Sequence, residues 1–122
     1  METAPVETSV PKMTAAMFEK ACEILRLSAQ ISELGLAHSF VDMSGHVRRF
    51  TARTLPADTR YSMGSSYARV NEVDVSFDFE DMSPAEQAGR WRGRMARLCA
   101  YAEWLQQVID KAEVITTAES VA

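Results

Sequence analysis

Absences narrow the class of this chain first. Nowhere in its 122 residues is there an apolar run approaching the roughly 18 that a bilayer span needs. Its first residues hold glutamate and proline where a secretory signal would hold a basic and then an apolar run, so a cytoplasmic location is expected, with no membrane partner. Histidine occurs only at His38 and His46 and cysteine only at Cys22 and Cys99, a poor supply for a metal cage of three or four ligands or for a disulfide framework. Both cysteines fall in apolar helical patterns, where a free thiol acts as a small buried hydrophobe, and neither histidine has an evident orienting acid. Of five glycines, Gly64 stands alone and Gly89 and Gly93 lie in a helical pattern, so no phosphate-cradling loop follows a strand. The expectation is a protein without catalytic residues, cofactor or metal, and not an enzyme.

A composition of 47% apolar and 25% charged residues is that of an ordinary globular chain. One domain is expected over residues 13–116, with flexible segments at 1–12, where two prolines interrupt any period, and at 117–122. From Thr14, read as an N-cap, the positions Met17, Ala21, Ile24, Leu27 or Ser28, Ile31 and Leu34 mark one face of a helix, which Phe18, Cys22 and Leu25 widen. Gly35 can turn left-handed past its end, and Leu36 can fold back on the last turn.

A hairpin follows, with Ala37 to Val41 and His46 to Thr54 around Asp42-Met43-Ser44-Gly45; in this register Val41 faces Val47, and a one-residue slip would exchange the faces. Residues 55–68 read as a long loop, hiding a short strand or serving as a binding loop; Tyr61, Met63 and Tyr67 make small-ligand binding there a third functional reading. In the next segment Val73, Val75, Phe77 and Phe79 alternate with Asp74, Ser76, Asp78 and Glu80, the pattern of a strand with one core face and one acidic face.

The last element opens on Ser83-Pro84-Ala85-Glu86, a capping box with proline at the first helical position. Ala88, Trp91, Met95, Leu98, Ala102, Leu105, Ile109 and Ala112 then recur at alternating steps of three and four. A helix from Ser83 to about Ile115 would run roughly 48 Å, more than the width of such a domain, so it bends near Gly93 or one end projects. The small residues Ala85, Gly89, Gly93, Ala96 and Ala100 are expected to receive the first helix. Tyr101, Trp104, Leu105, Val108 and Ile109 exceed what one neighbour covers and suggest a homodimer or partner surface. The order predicts an α+β domain, α-β-β-β-α, its three-stranded antiparallel sheet covered on one face by both helices.

The net charge of −4 is segregated: residues 36–69 carry +3, residues 70–82 carry −5 with no base, and residues 83–97 carry +3. The acidic residues Glu72, Asp74, Asp78, Glu80 and Asp81, roughly 7 Å apart along a strand, match the phosphate spacing of a nucleic acid and suit a basic groove on a partner. Arg48, Arg49 and Arg53, with Arg90, Arg94 and Arg97, could instead cradle phosphates, which makes nucleic-acid binding the alternative. The leading expectation is a non-enzymatic protein that regulates or inhibits another macromolecule through protein contacts. Small inhibitors of phages and mobile elements, such as anti-CRISPR proteins, have this general character, as do nucleoid-associated proteins and secretion chaperones in their plan, without any shared residue motif.

Overall fold

Ser9, not Thr14, opens the first helix. In the computed structural model, which describes residues 9–46, 48–61 and 68–117, α1 spans Val10–Glu33 with Ser9 as its extended cap and Pro11 in its first turn. Proline there forfeits no helical hydrogen bond, so Pro11 admits the helix instead of delaying it. At the other end Gly35 adopts φ 71°, and the Leu36 amide donates to the Ile31 carbonyl at 3.1 Å, burying Leu36 against the last turn. The expected glycine stop is therefore present.

Strand β1 (Ala37–Ser44) pairs antiparallel with β2 (Arg49–Pro56), and β2 pairs antiparallel with β3 (Asn71–Ser76). The order β1-β2-β3 makes an α+β chain, α-β-β-β-α, as its alternations predict. The hairpin register differs from expectation. Val41 stands opposite Ala52, and Ser44 opposite Arg49, because the turn falls at Gly45 and His46 and ends on Arg48 at φ 51°. Val47 lies outside the described residues, as do residues 1–8 of the expected tail, Met63, Gly64 and Tyr67 in the segment 62–67, and residues 118–122.

Helix α2 covers Pro84–Lys111, 28 residues and about 42 Å. Its capping box is complete: the Glu86 amide donates to Ser83 Oγ at 3.2 Å, and the Ser83 amide to Glu86 Oε1 at 2.7 Å. It stops at Lys111 because Ala112 turns left-handed at φ 55°. The chain then returns: the Ile115 amide donates to Leu36 O, and the Ala57 amide to Ile115 O, each at 2.8 Å. Asp58 accepts both the amide and the hydroxyl of Thr117, which holds its carboxyl below the ordinary range.

The helices lie side by side on one face of the sheet, α1 over β1 and α2 over β3. Phe50, Ala52 and Thr54 of β2 project beneath their seam, with Val73 and Val75 beside them and Phe77 and Phe79 continuing the apolar alternation past the strand. From the helices come Met13, Met17, Ile24, Leu27 and Ile31, and Leu98, Ala102 and Leu105. Four expectations fail here, the first at Leu34, expected on the core face of α1 and instead exposed. Phe18, Cys22 and Leu25 do not widen the buried face of α1 but stand exposed. Cys99 is half-buried, not a core thiol. The small-residue stripe Ala85, Gly89, Gly93, Ala96 and Ala100 is exposed rather than packed against α1, which meets the other side of α2. The heptad-like stripe, being far more apolar, took the core.

Gly89 and Gly93 illustrate the consequence. A β-carbon added at either meets no atom within 4 Å, so neither glycine serves a close approach. Gly89→Ala and Gly93→Ala should each stabilise the fold by up to about 1 kcal/mol, helix propensity being the only term that changes. Thermal or urea unfolding of the double variant checks this; a lower melting temperature would mean that the stripe is packed after all.

Candidate interaction surface

Helices cover one face of the sheet, which leaves the outer face, formed by alternate residues of each strand, as the place to look. On it β1 presents His38, Phe40 and Asp42, β2 presents Arg49, Thr51 and Arg53, and β3 presents Glu72, Asp74 and Ser76, as the registers require. Tyr61, just beyond β2, lies back over β1. Its hydroxyl is 2.6 Å from His38 Nδ1, and the two rings stack at 5.5 Å and 19°. Phe40 meets the Tyr61 ring edge-on at 6.3 Å, and the Arg53 guanidinium sits 4.8 Å from the Phe40 centroid. Tyr61 and Phe40 nevertheless remain 50% and 37% exposed, so half of this aromatic cluster faces solvent.

At the β3 side the charges close on one another. Arg49 grips Asp74 in a fork, Nε to Oδ1 at 2.6 Å and Nη2 to Oδ2 at 2.5 Å. The Asp74 carboxyl is held below its ordinary range chiefly by that hydrogen bond, with Arg49 and Arg97 adding attraction. Arg97 donates to the Asp74 backbone carbonyl at 2.8 Å, and Arg94 to that of Asp78 at 2.7 Å while lying 4.7 Å above the Phe79 ring. Glu72 pairs with Arg69 at 3.2 Å.

The acidic ladder expected from the sequence is thus shorter than five rungs. Only Glu72 and Asp74 belong to the strand; Asp78 turns its carboxylate back to the Glu80 amide at 3.1 Å, and Glu80 and Asp81 stand exposed in the turn before α2. The six arginines likewise form no single cradle. Arg49, Arg94 and Arg97 are engaged within the chain and Arg53 lies over Phe40, leaving Arg48 exposed in the hairpin turn and Arg90 exposed on α2.

The partner surface expected on α2 is for the most part inside the molecule. Tyr101, Leu105 and Val108 are buried, while Trp104 and Ile109 are half-buried against the core. The expectation assumed one neighbour, whereas α1, the sheet and the returning segment at Ile115 all enclose this half of the helix. His38 and His46 lie at opposite ends of β1, too far apart to act together, and among the described residues no group of three His, Cys, Asp or Glu could hold a metal ion. Phe40 was legible as an outer-face residue only in the correct register. Tyr61 carried no periodic signal at all.

Since Asp74 titrates lower folded than unfolded, its contribution to stability is present above the ordinary carboxylate value near 4 and is lost as the pH falls through the folded value. Asp74→Asn should therefore lower the melting temperature at pH 7 and flatten its decline below about pH 4. A pH series of thermal melts on both proteins measures the difference, and parallel curves would show that the fork contributes nothing.

Comparison with protein-family models, with curated proteins and with solved structures returns no match.

Proposed function

We propose that this chain is a non-enzymatic interaction protein, a regulator or inhibitor that binds another protein through the face of its sheet turned away from the helices. The cluster of Phe40, Tyr61 and Arg53 on that face is the observation behind the reading. Aromatic side chains and arginine concentrate binding energy at protein interfaces, and these are held by stacking before any partner arrives, which lowers the entropy lost on binding. Asp42 and Glu72 supply a polar rim, and exposed Glu80 and Asp81 extend an acidic margin suited to basic groups on the partner. Nucleic acid is the weaker alternative, because half of the arginines it would need are committed to Asp74 and to backbone carbonyls, and the chain carries −4 overall.

Capture of partners from the native host by the immobilised protein, read by mass spectrometry, identifies the target. Alanine at both Phe40 and Tyr61 should then weaken that complex at least roughly tenfold, two aromatic anchors being removed. The reading fails if the double variant binds as tightly as the wild type. It fails equally if DNA or RNA is retarded at low salt and reversal of Arg48, Arg53 and Arg90 abolishes the retardation.

A further inference from the structure

The face of α1 turned from the core carries a second apolar stripe. Ala15, Phe18, Cys22, Leu25 and Ala29 recur at alternating steps of three and four, and all are exposed, Phe18 and Leu25 each at 54%. An exposed seam at heptad spacing, with two large side chains in water, is the form a helix takes where another helix covers it.

The pattern also selects the occupant. Read from either end, the stripe runs alanine, large apolar residue, cysteine, large apolar residue, alanine. Along its polar flank stand Lys12, Glu19, Arg26 and Glu33, one heptad apart and alternating in sign, all exposed. None of the four takes part in an ion pair among the described residues, whereas neighbouring Lys20 is bound to Glu23 at 2.8 Å. Lys12 and Glu33 are equally distant from the point between residues 22 and 23, and so are Glu19 and Arg26. Two copies of α1 laid antiparallel about a two-fold axis at that point set Lys12 against Glu33 of the second copy, and Glu19 against its Arg26. The same arrangement brings Phe18 beside Leu25 of the second copy and the two Cys22 residues together at the axis. Each contact away from the axis then occurs twice, as a closed two-fold interface demands. In a parallel pair this flank would face the opposite flank of the second helix, where Thr14, Ala21 and Ser28 offer no charge to pair with.

We propose that the protein forms an antiparallel homodimer through this face of α1. The outer sheet face lies across the molecule from α1 and stays open in such a dimer, so the proposal stands or falls apart from the partner-binding reading.

Light scattering on the full chain over a range of concentrations should find a dimer. Phe18→Glu together with Leu25→Glu should leave a monomer whose circular dichroism is unchanged, both positions being exposed. Glu19→Arg alone, which sets like charges together twice per dimer, should weaken association roughly tenfold. Adding Arg26→Glu to it should restore the dimer with the signs exchanged. Mild oxidation should yield a disulfide-linked dimer that Cys22→Ser removes and Cys99→Ser keeps. A monomer at every concentration, a dimer indifferent to the glutamates at positions 18 and 25, or a double reversal that recovers nothing would overturn the proposal.

Discussion

Two helices sharing one face of a three-stranded sheet must leave the middle strand beneath the seam between them, and here a hydroxyl sits at that place. Thr54 of β2 is fully buried, and its Oγ1 lies 2.7 Å from the hydroxyl of Tyr101 on α2. A buried hydroxyl without a partner costs roughly 1–3 kcal/mol, so the pair restricts how α2 can be rotated about its axis. Burial raises the Tyr101 pKa, against the pull of the Thr54 hydrogen bond, and keeps the phenol a neutral partner. Rotation of α2 in turn places the rest of that flank. Arg97 and Arg94 precede Tyr101 by four and seven residues, one and two turns, and both therefore overhang the edge of β3.

What they do there is protect the strand. An edge strand offers backbone groups to any other chain, and proteins blunt such edges with charge or by covering them. Guanidinium groups on the carbonyls of Asp74 and Asp78 do this for β3, and the Arg49 fork fixes the Asp74 side chain on the adjoining face. Charge segregation along the sequence is thus largely cancelled in space. The basic block of β2, the acidic block of β3 and the basic block of α2 meet along one edge, since the topology sets these three elements next to one another.

Where residue chemistry dictates geometry locally, the sequence could be read. The capping box at Ser83 and the left-handed Gly35 with Leu36 behind it each became the predicted feature, and the alternation from Val73 became a strand that stops at Ser76, short of Phe79. Competition between comparable alternatives could not be settled in that way. Asp42 to Gly45 makes an acceptable turn, yet starting the turn at Gly45 puts Phe50 and Ala52 inward and moves Arg49 and Arg53 outward, a tertiary gain invisible to local turn rules. Helix α1 has two apolar stripes, and the choice between them depends on which meets α2. The aromatic cluster was hidden for a related reason: Tyr61 has meaning only once β1 is known to lie beneath it.

The two helices pose the same problem and solve their outer surfaces differently. Each has its inner side on the sheet and on the other helix, and neither needs large apolar residues on its outer side for folding. Helix α2 shows there the small residues Ala85, Gly89, Gly93, Ala96 and Ala100 beside exposed Arg90 and Arg92, a surface that water covers without penalty. On α1 the equivalent side holds Phe18 and Leu25, each more than half exposed. Leaving such a side chain in water forgoes roughly 1.5–3 kcal/mol of burial. Packing within the chain does not explain the contrast, because both outer faces lie beyond the core. The proposed dimer would account for it: an apolar seam flanked by alternating unpaired charges discriminates among partners, whereas an alanine and glycine surface invites none in particular.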